Sequence, residues 1–297
     1  MDKTTRGWID GFLGMLIFSG SLPATRAAVG AFDPVFLTFA RAAVAGLLGL
    51  ALLLGFREKR PARGDLPSLA LIAGGVVVGF PLLTALALRH VTAAHSLVFV
   101  ALLPLSTAIF AVLRGGERPR PAFWIFSGLG GAIVSGYALL LGQGGSRVGD
   151  ALMLAAIVVC GLGYAEGARL ARRLGGWQVI CWALVLSLPA MLPLAVATRP
   201  SSWHAMPPSA WLGFAYVSIF SMLIGFIFWY RGLALGGIAA VGQLQLLQPF
   251  FGLALAAALL REPVGSRIVG VAVLVVLCVL GARRFSRAAP LAVEALR

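Results

Sequence analysis

The sequence predicts an all-α membrane protein of ten transmembrane helices, arranged as two inverted five-helix repeats. Three observations carry that expectation. The 297-residue chain is 60% hydrophobic and only 11% charged, with a mean hydropathy of +0.96, whereas soluble domains are about 25% charged. Ten apolar runs of about 20 residues fill most of its length, each long enough to cross a hydrocarbon core. Landmarks in the first half of the chain also recur in the second half at a nearly constant offset.

The runs are bounded by charge, proline and glycine. The first covers residues 8–28 and reads as a retained span, because no small-residue cleavage site follows a short apolar stretch. The second, 34–56, opens at Pro34 and stops at Arg57-Glu58-Lys59-Arg60. The third, 66–88, stops at Arg89-His90, and the fourth, 93–113, stops at Arg114 and the basic stretch to Arg120. The fifth is 122–141. The sixth, 150–170, ends before Arg172-Arg173, and the seventh is 177–197. The eighth, 210–230, stops at Arg231. The ninth, 238–260, stops at Arg261-Glu262-Pro263, and the tenth, 264–282, at Arg283-Arg284. Barrel strands would alternate over about ten residues, which these runs do not.

Composition excludes a cytosolic globular enzyme, a disordered chain and a secreted disulfide scaffold. Cys160, Cys181 and Cys278 all sit inside apolar runs and match no ligand or disulfide spacing. The net charge of +14 is read as orientation rather than as nucleic acid binding, since no basic stripe is interleaved with solvent-facing aromatics. With the N-terminus inside, 17 Lys and Arg fall on the inner segments, six fall outside, and Arg41 lies within a span. Excess basic residues mark cytoplasmic loops, so both termini are expected in the cytoplasm.

The internal repeat carries the main inference. Ala94 aligns with Ala239, Pro104 with Pro249 and Glu117 with Glu262, each at an offset of 145. Gly79-Phe80 aligns with Gly225-Phe226 at 146. Five spans per copy is an odd number, so the second copy must enter the membrane upside down. Residues 1–145 are expected to form the first repeat, 146–287 the second and 288–297 a cytoplasmic tail. Inverted repeats give inward- and outward-open states of similar energy, a signature of secondary transporters.

The order of small residues, mid-span proline, terminal glutamate and glycine-bearing helix reads Ala93-Ala94, Pro104, Glu117, Gly128, and again Ala239-Ala240, Pro249, Glu262, Gly270. In this order the chain resembles the EamA-type transporters of the drug/metabolite transporter superfamily. Arg41, following Pro34, adds to the likeness. The first copy departs from the second by about three extra residues between Glu117 and Gly128. Within the superfamily the chain is most similar to the bacterial aromatic amino acid exporters. The resemblance implies ten helices in two repeats, a multi-pass protein of the bacterial inner (plasma) membrane, and translocation of small metabolites, often outward. Aromatic and other neutral amino acids are the expected cargo, moved by alternating access around a central cavity.

Polar residues inside a bilayer are costly and turn toward a cavity or a partner helix. Ser21 flanks Pro23 in the first span, where a proline frees a backbone carbonyl; a packing kink explains it equally well. Phe80 and Thr84 share a face of the third span, and His95 and Phe99 a face of the fourth. His95 could hold a carboxylate or shuttle a proton, or simply be hydrated at the outer interface. Gln243, Gln245 and Gln248 suit a zwitterion, and suit helix–helix contacts as well. Tyr164 and Glu166 lie in the sixth span. Glu166 is a candidate for an ammonium group or a coupling proton, or for pairing with Arg169 or Arg172 near the inner mouth. Arg41 could receive a carboxylate or be paired structurally. Trp229, Tyr230 and Arg231 could gate the cavity or form an interfacial belt. Pro104 and Pro249 are matched bending points or inert kinks. Trp8, Trp124, Trp177, Trp203 and Trp211 read as interfacial anchors, and Gly128, Gly131, Gly136, Gly270 and Gly281 as close-packing stripes.

No Walker motif, His-Glu-x-x-His or nucleophile elbow is present. The expectation is therefore no enzyme, no cofactor and no metal. The expected partners are a small-molecule substrate and the lipid bilayer, with protons as a candidate coupling ion and no nucleic acid. A monomer is plausible on the sequence. Export of other metabolites, nucleosides or drugs is the alternative cargo, and a membrane scaffold, sensor or intramembrane enzyme the alternative class.

Overall fold

The computed structural model describes residues 2–87, 90–91, 99–141, 146–203, 206–260 and 267–286. Every regular element among the described residues is helical. Six helical segments are long and apolar enough to cross a membrane: Lys3–Val29, Pro34–Gly55, Arg63–Ala87, Arg147–Leu174, Gly176–Ala197 and Pro208–Gly236. Leu103–Leu113 is a shorter apolar helix.

The first span consists of α1 (Lys3–Ser19) and α2 (Ser21–Val29), which meet at Gly20. The break falls three residues before Pro23, which lies inside the first turn of α2, where a missing N–H costs little. Helix α3 (Pro34–Gly55) begins with Asp33, whose carboxylate accepts from the N–H groups of Val35 and Phe36. This is an N-cap, with the proline in the first turn. The third span is α4 (Leu66–Ile72), a π-helical stretch over Ala73–Gly79, and α5 (Phe80–Ala87). Helices α6 (Leu103–Leu113) and α7 (Pro121–Leu141) follow.

The second half opens with α8 (Arg147–Leu174) and α9 (Gly176–Ala197), joined at Gly175. The eighth span is α10 (Pro208–Ala215), a π-helical stretch over Tyr216–Ile224, and α11 (Gly225–Gly236). After Gly237 come α12 (Ile238–Gly242), a 3-10 stretch over Gln243–Leu247, and α13 (Gln248–Leu260). Helix α14 (Arg267–Phe285) is the last. Gly175 and Gly237 both hold φ near +100° (99° and 96°), a conformation that residues with a Cβ rarely adopt.

The repeat is visible in the backbone. The two π-helical stretches overlap when one is shifted by the sequence offset of 146. Helices α6 and α13 start at Leu103 and Gln248, matched positions, with Pro104 and Pro249 each as second residue. Each proline thus lies in the first turn of a helix that follows a break within its apolar run, a turn before Leu103 and the 3-10 stretch before Gln248. Helix α1 packs along α11, and α8 along the third span, while α3 packs on α9 and α7 on α14. Exchanging the two halves turns the first pair into the second and leaves the other two unchanged. A two-fold relation between the halves requires this pattern.

Glycine sets the closest crossings, at only some of the expected stripe positions. A Cβ on Gly14 would lie 2.9 Å from Trp229 N and 3.1 Å from Gly225 O. A Cβ on Gly75 would lie 3.3 Å from Gly163 Cα. By contrast, one on Gly128, Gly136 or Gly270 would meet nothing within 4 Å, so these three pack against no neighbour among the described residues. Gly131 and Gly281 do face neighbours, the Ala101 carbonyl and the Phe126 ring. The reason is placement: Gly14 and Gly75 lie where backbones cross, and Gly128 and Gly136 do not.

These contacts make opposite predictions for two alanine substitutions. Gly14→Ala should cost about 1–3 kcal/mol, because backbone on the facing helix cannot move aside cheaply. Gly128→Ala should be neutral or gain about 0.5–1 kcal/mol from the unfolded-chain entropy of glycine. Thermal unfolding of the two purified variants in detergent checks both. Equal melting temperatures would contradict the crossing geometry.

Candidate functional site

A membrane span tolerates a carboxylate only when it is partnered. At the basic end of the bundle, four carboxylates meet arginines. Arg231 Nε lies 3.0 Å from Asp10 Oδ2. Asp65, just before α4, pairs with Arg173 at the end of α8. Glu117, just past α6, accepts from Arg172 at 2.9 Å. Glu166 on α8 accepts from Arg114 at 3.1 Å and from Arg169 at 2.5 Å. Of these pairs only Glu166–Arg169 stays within one half of the chain; the others join the two halves.

Glu117 does more than pair. Its two oxygens accept from the backbone N–H groups of Ile238 at 2.7 Å and Ala239 at 2.9 Å, the first residues of α12. An anion there satisfies two unpaired donors and sits at the positive end of the helix dipole. The C-terminal end of the fourth span therefore lies against the N-terminal end of the ninth, so the two run in opposite directions. The Glu166 side chain is 0% exposed, while Arg114 and Arg169 are 44% and 45% exposed. The arginine stems cover the carboxylate and their heads reach solvent.

Contacts between the first and eighth spans mark successive levels of a column through the bundle. Asp10 and Arg231 form one level, Gly14 and Trp229 the next. Phe18 and Phe226 follow, with ring centroids 5.0 Å apart. Ser21 donates to Ser221 Oγ at 2.8 Å at the last. From Asp10 to Ser21 the helix climbs about 16 Å. Around the middle levels stand Tyr164, 5.5 Å from the Trp229 ring and 6.0 Å from Phe226, and Tyr230, whose hydroxyl donates to the Gly163 carbonyl at 3.3 Å.

Polar groups project into this aromatic setting. Gln245 donates to the Tyr164 hydroxyl at 3.2 Å, and Gln248 to the Phe18 carbonyl at 3.4 Å. Trp229 Nε1, Gln245 Oε1 and both amide atoms of Gln243 are buried with no hydrogen-bond partner among the described residues. Buried polar atoms are normally satisfied. Donors and acceptors left open beside aromatic faces can bind both ends of a small zwitterion and pack its side chain.

The structure thus brings together Ser21, Tyr164, Trp229, Tyr230, Gln245 and Gln248 along one column. Gln243 lies in the same 3-10 stretch as Gln245. Arg41 joins at the far level, where it donates to Ser221 Oγ at 3.4 Å. Glu166 lies in the ion-pair cluster, the second of the two readings its sequence position allowed. Trp229 and Tyr230 are fully buried and Arg231 is paired with Asp10, so this trio is no interfacial belt. Phe80 and Thr84 lie on α5, which packs on α8; no hydrogen bond or ring contact ties them to the column among the described residues. Phe99 packs half-buried against the core. His95 lies outside the described residues. Sequence reasoning passed over Asp10, Asp65 and Ser221. The acids carried a usable signal, since an acid at an apolar run needs a partner and the arginines at the ends of the sixth and eighth runs could supply it; a serine in an apolar run carries none.

Two apolar clefts on the flank, lined by Val44, Trp211 and Phe214 among others, hold almost no polar surface and lie apart from the open amides. Of the expected anchors, Trp203 and Trp211 stack at 5.9 Å near the end opposite the arginines, and Trp8 lies 4.5 Å beneath Arg283.

Removing the carboxylate that caps α12 should expose its first amides. In Glu117→Ala, hydrogen exchange at Ile238 and Ala239 should speed up about tenfold, the equivalent of a lost cap of about 1.4 kcal/mol. Exchange measured by mass spectrometry at the wild-type rate would show that Glu117 does not protect them.

The EamA-like transporter family matches this chain twice, over residues 5–141 and 147–283. An uncharacterized transporter, YdeK, of Bacillus subtilis (strain 168) is 67% identical over 287 residues, covering 97% of this chain and 100% of its own. A probable terminal-alkyne amino-acid exporter of Streptantibioticus cattleyicolor is 26% identical over 242 residues, covering 80% of each chain. A crystal structure 22% identical in sequence superposes with a TM-score of 0.77, covering 95% of this chain and 98% of that one, which speaks to the fold. With two family matches spanning nearly the whole chain and a relative this similar, the protein is a membrane-embedded transporter that belongs to the EamA-like transporter family.

Proposed function

We propose that the protein is a secondary exporter of small amino-acid-like metabolites, working by alternating access in the bacterial plasma membrane. In this reading ten spans form two inverted repeats, residues 1–145 and 146–287, with both termini and the tail 288–297 in the cytoplasm. The 17 bases on the inner segments support that orientation. The observation that carries the reading is the set of open amides and the indole N–H of Gln243, Gln245 and Trp229, held among aromatic rings between the two halves. A neutral amino acid offers a matching ammonium, carboxylate and side chain. The distant relative named as an amino-acid exporter supports the same cargo class.

Glu166 is assigned to closure at the basic end rather than to proton transfer, because Arg114 and Arg169 already occupy its oxygens. Phe80, Thr84, His95 and Phe99 are assigned to the cavity wall contributed by the third and fourth spans. Pro23, Pro104 and Pro249 are assigned to the points where segments reorient.

Counterflow in proteoliposomes tests the cargo. Labelled phenylalanine, threonine and a nucleoside should be offered separately, at two pH values. Saturable exchange of phenylalanine is expected, and nucleoside exchange without either amino acid would overturn the assignment in favour of other metabolites. Gln245→Ala should raise the half-saturating phenylalanine concentration about tenfold, since an amide hydrogen bond in a buried site contributes about 1–1.5 kcal/mol. A second outcome concerns Glu166: wild type and Glu166→Gln should share one pH profile. Loss of pH dependence on that substitution would return the proton-carrier role to Glu166.

A further inference from the structure

Hydroxyls within apolar helices usually donate back to a carbonyl one turn earlier. Here Ser19 donates to Met15, Thr38 to Pro34, Thr107 to Leu103, Ser187 to Leu184 and Ser218 to Phe214. Ser221 differs. Its Oγ accepts twice, from Ser21 at 2.8 Å and from Arg41 at 3.4 Å, and its own proton has no acceptor among the described residues. Ser218, one turn earlier in the same π-helical stretch, still donates to its own helix, so Ser221 is distinguished by its two partners on other helices.

Arg41 is open in the same way. It sits on α3 within an apolar span, seven residues past Pro34. Its Nε is buried without a partner, and no carboxylate pairs with it among the described residues. The contrast with the opposite end is sharp: Arg114, Arg169, Arg172, Arg173 and Arg231 each hold a carboxylate. A guanidinium in a bilayer span without a counter-charge is expensive, and a planar fork of N–H donors matches a carboxylate.

We propose that Arg41 and Ser221, with Ser21 orienting the serine, form the subsite for a carboxylate of the transported molecule. This deepens the function proposed above and rests on it for the identity of the cargo. The arrangement fixes a polarity along the column. The carboxylate lies at the Ser21–Ser221 level and the rest of the molecule extends toward Phe18, Phe226 and Trp229. A molecule lacking the carboxylate loses the subsite but keeps the aromatic wall.

Two measurements test the subsite, one independent of transport. In detergent, 3-phenylpropionate should raise the melting temperature of wild-type protein more than 3-phenylpropionamide does, and Arg41→Gln should abolish that difference. In proteoliposomes, phenylalanine should inhibit counterflow at least tenfold better than phenylalaninamide, with the ratio falling toward one in Arg41→Gln. Ser221→Ala should lower the ratio about threefold while leaving the amide's own inhibition unchanged; it also serves as the test should Arg41→Gln fail to fold. Arg41→Lys should keep part of the preference. An equal carboxylate preference in wild type, Arg41→Gln and Ser221→Ala would overturn the proposal, as would equal stabilisation by chloride at the same concentration. If no amino acid is exchanged yet the phenylpropionate difference depends on Arg41, the cargo assignment fails and the subsite stands.

Discussion

Four carboxylates hold the two halves of this protein together at one end. Asp10, Asp65, Glu117 and Glu166 each reach an arginine of the opposite half. In a chain with only ten acids, this placement ties scarce charge to one level of the bundle. Lipid offers no hydrophobic drive between helices, so register must come from shape and from polar contacts. A paired carboxylate specifies register because a slip of one turn, about 5.4 Å, would leave it unpaired in an apolar setting. The levels of the column above follow from that anchor. Once Asp10 meets Arg231, the spacing of the first and eighth spans brings Gly14 to Trp229, Phe18 to Phe226 and Ser21 to Ser221.

Close approach between backbones does the rest. Gly14 lets the Trp229 backbone come near, which buries the indole at the centre and leaves its N–H open. The third span meets α8 through Gly75 and Gly163 in the same manner. The π-helical stretches fall beside these crossings in both halves. A π-turn costs some backbone energy and re-aims the side chains that follow. In the second half the stretch carries Ser221, which meets Ser21 and Arg41 of the other half. Packing and polar placement are thus one device, used twice with different side chains.

Much of this architecture was legible in the sequence because spans are long, apolar and ended by charge. The breaks at Arg57, Arg114 and Arg283-Arg284 lie at helix ends. Legibility failed where charges were neutralised in space. The eighth span does not stop at Arg231, because Asp10 of the first span pairs with it and the helix continues to Gly236. The first span begins at Lys3 rather than at Trp8 for the reciprocal reason. The sixth runs on to Leu174, with Arg169, Arg172 and Arg173 paired and placed at the negative end of its dipole. Of the candidate site, the aromatic and glutamine positions could be read from hydropathy alone, since polar residues in apolar runs stand out. Ser221 could not, because its significance depends on which residues of the other half it meets in space.

The same contacts bound how firmly the basic end can be sealed. The arginines are 39–62% exposed, so each pair is partly hydrated and contributes about 0.2–1 kcal/mol. The Glu117 cap adds about 1 kcal/mol. Four such pairs and one cap total only about 2–5 kcal/mol, which corresponds to an opened state populated at about 0.02–3%. Differential binding of a substrate to the opened state by a similar amount can reverse that ratio. A dry apolar plug would seal the end more tightly and trap the protein in one state. Ion pairs with hydrated arginine heads separate at lower cost once water also reaches the buried carboxylates. This places the proposed cycle within the energy that an amino-acid-sized ligand can supply.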